Sequence, residues 1–261
     1  MNTKRGFTLI ELLVVISIIA LLMAILMPAL SRAKNQAKAV ACQAQLKQWG
    51  TIFFMYAEDN NGYMMRSGGY NIEGFIWLEV LRPFYKPELR LCPQAAKIAD
   101  ERAPFGHAHF AWSWIWDDGT RDDGSYGIND WVLNPTPGKS PGGRAAQNFW
   151  RKVSVRGGSE IPVFLDASHA HGGPDSTDPP LEFEDQRPSW GSGNRMGHYC
   201  VNRHNGFVNA VFLDWTVRKV GLKEMWTLKW HKHFDTADLY TKAGGAQPSD
   251  WPEWMRHFKD Y

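Results

Sequence analysis

A single carboxylate interrupts a long apolar stretch. From Phe7 to Leu30 the one formal charge is Glu11. On membrane-insertion scales a lone acid in hydrocarbon costs about 2.5–3.5 kcal/mol, and such a residue marks a functional position. It requires a cationic partner, and the span supplies none. Hydrolysis of the bond between Gly6 and Phe7 would create one, the α-amine of Phe7. Within one helix Phe7 and Glu11 are i and i+4 neighbours and can meet. Between neighbouring chains the same pair would fix the axial register of packed helices, since a buried ion pair acts on specificity more than on net stability. Cleavage between Gly6 and Phe7 would thus supply the cation that Glu11 lacks.

Other reactive residues are scattered. Cys42, Cys92 and Cys200 allow one disulfide with one thiol left over, and the sequence alone does not choose the pair. Asp117, Asp118, Asp122 and Asp123 surround Gly119 and could hold a hard cation such as calcium. Their spacing is not that of an EF-hand and Arg121 sits among them, so a solvated turn is the plainer reading. His-x-His occurs at His107/His109, His169/His171 and His231/His233. On a strand each pair would share a face, as metal ligands can, but nothing in the sequence joins the pairs. His204 with Asp214 reads as a hydrogen-bonded pair pinning a hairpin. Ser168 and His169 lie near Asp166, yet no nucleophile elbow accompanies them. No phosphate-binding Gly-rich loop is present either. The expectation is a non-enzyme with no cofactor beyond the calcium candidate.

The elements that must carry these residues begin with a helix. Asn2 to Arg5 is a short basic leader, and roughly 24 residues at about 1.5 Å each then suffice to cross a ~30 Å hydrocarbon core. Lys4 and Arg5 favour a cytoplasmic N-terminus. The apolar run is too long for a secretory signal peptide and ends in no small-residue cleavage site. Beyond Pro28, Leu30, Ala33, Ala37, Val40, Ala41 and Ala44, then Trp49, Ile52, Phe53 and Tyr56, recur at helical steps among polar residues. Asp59-Asn60-Asn61-Gly62 ends the helix. One helix of about 50 residues follows, apolar first and amphipathic second, and the second half needs a sheet to cover it.

Strands are expected at Phe110–Trp116, with alternating aromatics, at Ser125–Asn129 with Trp131–Val132, at Ile161–Asp166, and at Phe207–Leu213 with Thr216–Val220. Asp214-Trp215 reads as the turn of that last hairpin. Leu222–Phe234 reads as a short amphipathic helix, Asn134–Gly143 and Gly172–Gly193 as loops. Thr236–Tyr261 is expected to pack over the sheet.

Of 261 residues, about 200 remain for a head large enough to bury its own core. A net charge of +2 leaves no footprint for nucleic acid. Thirteen Trp are many; they are read first as core and loop packing, second as platforms for sugar rings or partner surfaces.

Gly6-Phe7-Thr8-Leu9-Ile10-Glu11 ahead of an apolar helix resembles the class III signal of type IV pilins and type II secretion pseudopilins. The resemblance implies that a prepilin peptidase cuts between Gly6 and Phe7 and N-methylates Phe7, and that Glu11 drives assembly. It also implies that Pro28 kinks the helix. Three segments follow: a leader at 1–6, a helix at 7–60 (transmembrane about 7–29) and a head at 61–261. The fold implied is α+β, a long helix packed on an antiparallel sheet with a loop-rich head. Cys42-Gln-Ala-Gln-Leu-Lys-Gln-Trp49-Gly50, Leu91-Cys92-Pro93 and Ser125-Tyr-Gly-Ile-Asn129 further resemble a pilin-like group best known from planctomycetes. There the helix cysteine and the Cys-Pro cysteine imply a Cys42–Cys92 bridge, leaving Cys200 free. The group's C-terminal His, nine residues, then Asp-Gly is matched by His204 and Asp214, except that Trp215 replaces the glycine, which puts the turn's positive φ in doubt. Pseudopilins of the major type bind calcium in a loop, which is the analogy for Asp117–Asp123.

The resemblance further implies a single pass through the inner membrane with the head outside, an inner-membrane assembly platform and neighbouring subunits in a helical filament. The function expected is a structural subunit, foremost a type II secretion pseudopilin. The alternative is a type IV pilin or minor tip subunit whose Trp-rich head binds a glycan or secreted cargo.

Overall fold

A computed structural model describes residues 8–67, 76–98, 104–137, 143–186 and 193–261. Helix α1, Leu9–Asp59, runs unbroken through Pro28 and, at about 1.5 Å per residue, spans roughly 76 Å. Among the described residues the head adds α2 (Trp77–Val80) and ten strands: β1 (Arg66–Ser67), β2 (Lys97–Ile98), β3 (Phe110–Ile115), β4 (Arg121–Gly124), β5 (Tyr126–Asn129), β6 (Asn134–Pro135), β7 (Pro162–Asp166), β8 (His171–Gly172), β9 (Phe207–Phe212) and β10 (Val217–Gly221). The main sheet has the order β10-β9-β7-β5-β8. Its pairings are antiparallel except for β8, which joins β5 in parallel. β2-β3-β4 and β1-β6 form two small sheets beside it. The fold is α+β.

Each face of the main sheet has a cover. On one side Cys42, Leu46, Trp49 and Phe53 of α1 pack with Trp77, Tyr126, Phe164 and Val211. On the other, Leu165, Ala210 and Phe212 meet Trp226, Trp230, Trp251 and Met255. The C-terminal stretch does pack over the sheet, through short 3-10 turns. The amphipathic helix expected at Leu222–Phe234 shrinks to a 3-10 turn at Lys223–Thr227. Trp226 and Trp230 are buried here without helical register, their indole N–H groups donating to the Asp178 and Met225 carbonyls.

The buried stripe of α1 is Ala39, Cys42, Leu46, Trp49, Gly50, Phe53 and Ala57. The expected phase holds from Trp49 onward but not before it. Val40, Ala41 and Ala44 are exposed because the sheet face around β9, not the composition of the helix, sets which side docks. Gly50 is needed there: a Cβ on it would lie 2.9 Å from Val211 Cγ2.

Cys42 and Cys92 form a disulfide with Cα atoms 5.2 Å apart, and Cys200 is buried and free. The bridge fastens the helix to the head across a sequence separation of 50. Loop-closure entropy for such a span is worth about 4 kcal/mol. Replacing both cysteines by alanine is expected to lower the melting temperature of the head by roughly 10 °C, read by circular dichroism.

Candidate functional site

The N-terminal end of α1 is built around Glu11. Thr8 is the N-cap and forms a capping box: its hydroxyl accepts the Glu11 N–H at 3.3 Å. Glu11 Oε2 in turn accepts the Thr8 backbone N–H at 2.8 Å and its hydroxyl at 2.7 Å. Two donors otherwise orphaned at a helix start are thereby satisfied. The Thr8-x-x-Glu11 spacing carries this signal in the sequence, where the charge argument overshadowed it. Gly6 and Phe7 lie outside the described residues. From Leu9 to Leu30 every large apolar side chain is 45–82% exposed, so among the described residues nothing in the head covers this half of the helix. Among the described residues it is the one helix long and apolar enough to cross a membrane.

A second constellation sits where α1 joins the head. Asp166, at the end of β7, is fully buried. Its Oδ1 accepts from Arg203 Nη1 at 3.0 Å, and its Oδ2 accepts the Asn209 backbone N–H at 2.7 Å. His204 Nε2 lies 3.1 Å from Oδ2 and 3.7 Å from Cys92 Sγ. Arg203 is also buried, and its remaining N–H groups reach the carbonyls of Ala108, Ser125, His107 and Ala167. All five guanidinium donors are thus used. Burial raises the Asp166 pKa, but His204, Arg203 and the Asn209 N–H together outweigh it and hold the carboxyl below its ordinary value. The sequence marked Asp166 as the end of a strand and as a neighbour of Ser168 and His169; nothing in it distinguished Arg203.

The expected His204–Asp214 pair does not form. The two residues flank β9, whose six residues at about 3.4 Å each hold its ends roughly 20 Å apart. Asp214 Oδ1 instead accepts from the backbone and hydroxyl of Thr216 at 3.0 and 2.6 Å. Trp215 takes the left-handed conformation that the missing glycine would have taken, with φ 66°. A left-handed residue without glycine's freedom costs about 1–2 kcal/mol. The turn is held because the Trp215 ring packs on Phe54 with centroids 6.0 Å apart and its carbonyl accepts from Lys47 Nζ at 2.9 Å.

The four aspartates of the calcium candidate do not converge. Part of the segment read as a loop is strand β4, which turns Asp122 and Asp123 to opposite faces. Asp122 is held by Arg82, Arg90 and the Trp116 indole N–H, Asp123 by Arg121 and Ser113. Asp118 caps Thr120, and Asp117 is exposed.

The three His-x-His pairs remain apart. His107 pairs with Asp185, and His231 lies 3.7 Å from Asp175. His169 packs edge-on against His171 and tilted against His198, with centroids 5.0 and 5.2 Å away. His198 Nδ1 donates to the His171 carbonyl at 2.8 Å. Burial pushes His198 down to about 3 and His169 well below its ordinary value, so both are neutral at neutral pH. In the unfolded chain an imidazole protonates near pH 6.5. Between about pH 6.5 and 3 the unfolded state binds more protons, and stability falls as pH falls. His198 alone contributes up to about 5 kcal/mol to that loss. The urea midpoint is expected to drop from about pH 6.5 downward, before most carboxylates protonate. His198→Asn, which keeps a donor for the His171 carbonyl and cannot protonate, flattens the slope.

Against this geometry, the family model described as the prokaryotic N-terminal methylation motif matches residues 1–27. Comparison with curated proteins and with solved structures gives no match. The matched segment contains the capped Glu11 and nearly all of the uncovered apolar half of α1. Residues 1–27 are therefore a prepilin-type signal, and they support a pilin-like subunit processed by prepilin peptidase.

Proposed function

We propose that this chain is a structural subunit of a pilus-like filament, of the pseudopilin type that serves a type II secretion machine. One observation carries the reading: α1 is uncovered and apolar all round from Leu9 to Leu30, while from Ala39 to Ala57 it is cemented into the head. A helix apolar on every side needs lipid or similar helices around it. The precursor rests in the inner membrane with Lys4 and Arg5 on the cytoplasmic side. The disulfide accords with a head on the oxidising side. Prepilin peptidase removes residues 1–6 and N-methylates Phe7. An inner-membrane assembly platform then moves the helix out of lipid and into a bundle of its neighbours, where the amine of Phe7 meets the Glu11 of an adjacent subunit.

The tryptophans fit a coat better than a glycan-gripping tip. Among the described residues every Trp is buried or half-buried. In the two cores Trp49 donates its indole N–H to the Leu89 carbonyl, Trp77 to that of Ala170 and Trp131 to that of Pro174. Their polar ends are thereby committed to holding loops in place.

Quantitative mass spectrometry of sheared filaments and of the remaining envelope tests the assignment. A pseudopilin is processed yet stays with the envelope. A chain that dominates long sheared filaments is a type IV pilin instead. Gly6→Val is expected to keep the leader, because a branched side chain replaces hydrogen at the cleaved bond; an unchanged mature mass would refute this.

A further inference from the structure

The disulfide joint contains a complete set of ligands for a metal. Cys42, Cys92, Asp166 and His204 bring two sulfurs, a carboxylate oxygen and an imidazole nitrogen within 4.8 Å of one another. We propose that when the Cys42–Cys92 bond is reduced, these four residues bind one zinc ion, which takes over the task of fastening α1 to the head. The proposal is independent of the filament reading, since it concerns only the joint between the second half of α1 and the head.

Three observations support it. The first is donor chemistry: two thiolates, one imidazole and one carboxylate are all established zinc donors, and structural zinc is tetrahedral with four protein ligands. With Zn–S bonds of ~2.3 Å, two thiolates on such an ion sit roughly 3.7 Å apart. Cα atoms 5.2 Å apart reach that separation by side-chain rotation alone. The second is the outer shell. Asp166 is already oriented by Arg203 on Oδ1 and by the Asn209 N–H on Oδ2. Partners of this kind fix a ligating carboxylate, and a site without them is loose. The third is access. A cleft of ≈ 750 Å³ lies between α1 and the head, and its wall includes Arg32, Gln36, Gln94, His109, His204 and Lys219. His204 is thus the ligand that faces an entry route, while the sulfurs lie behind it.

Charge also balances. At the sulfurs, exchanging a neutral disulfide for Zn²⁺ with two thiolates leaves the charge unchanged. An uncompensated charge at this depth would cost several kcal/mol. The reaction proceeds in two steps. A phosphine gives two electrons to the S–S bond, while one water supplies the oxygen of the phosphine oxide and two protons for the thiols. Zinc then displaces those two protons to solvent.

The test uses the full chain in detergent micelles, reduced with tris(2-carboxyethyl)phosphine and titrated with Co²⁺ as a visible stand-in for zinc. The expected result is one equivalent bound, with a thiolate-to-cobalt charge-transfer band and the strong visible bands of a tetrahedral site, both removed by added zinc. The oxidised chain shows neither. His204→Gln and Asp166→Asn, first confirmed as folded in the disulfide form by near-ultraviolet circular dichroism, bind cobalt at least tenfold more weakly once reduced. If one variant fails that check, the other and the parent chain decide. A reduced parent that takes up no cobalt at its thiolates, folded or unfolded, overturns the proposal. So does a thiolate–cobalt band whose affinity is unchanged in a folded variant.

Discussion

Glu11→Ala is expected to insert and to be cleaved like the parent chain, but to form filaments with an association constant lower by about two to four orders of magnitude. Insertion does not need Glu11, because removing a lone acid from an apolar span lowers the insertion cost by about 2.5–3.5 kcal/mol. Cleavage falls at Gly6, five residues before Glu11 in the sequence. Assembly is different. In the bundle the Phe7 amine would be left buried without its counter-charge, and breaking a buried pair from one side costs about 3–5 kcal/mol. At about 1.4 kcal/mol per factor of ten, that is the loss stated. The capping box supplies the control. Glu11→Gln keeps an acceptor for the Thr8 N–H and hydroxyl but carries no charge. It is expected to fail like alanine. Thr8→Val breaks the cap, keeps the charge, and is expected to assemble. Normal filament yield from Glu11→Gln would show that the cap, not the charge, is what assembly uses.

Arg203→Met is expected to cost the head about 3–5 kcal/mol. The guanidinium ties together the segments at His107–Ala108, Ser125 and Asp166–Ala167. Methionine fills much of the volume, leaving four carbonyls and one carboxylate short of a donor. The double variant Asp166→Asn with Arg203→Met removes the stranded charge, so it should lose less than the sum of the single losses. A coupling of at least about 1 kcal/mol in that cycle is the expected outcome. Strict additivity, from urea denaturation of the three variants, would contradict the ion-pair account.

What the sequence made legible follows from the range of the forces involved. Helix α1 was readable end to end because its signals are local: an apolar run, a helical repeat, and Asp59-Asn60-Asn61-Gly62 at its end. The hairpin at Phe207–Gly221 was readable for the same reason. The Cys42–Cys92 pairing was implied by resemblance and not by geometry, since spacing does not choose among three cysteines. Arg203 was not legible, because its role depends on five carbonyl or carboxylate groups from distant parts of the chain. His204 was noticed but given the wrong partner. Along the sequence Asp214 is near and Asp166 far, while in space a strand separates the first pair and sheet pairing of β7 with β9 brings the second together. The Asp117–Asp123 cluster looked convergent only while it was read as a loop; a strand sends alternate side chains to opposite faces.

The account rests on processing at the Gly6–Phe7 bond, and the most direct measurement is the mass of the N-terminal peptide from the native envelope and filament fractions. The predicted result is a peptide that begins at Phe7 and carries one methyl group on its α-amine. A peptide that begins at Met1 in assembled material, or that begins beyond Glu11, would contradict the account: the first leaves no amine at Phe7 to pair, and the second removes the carboxylate itself.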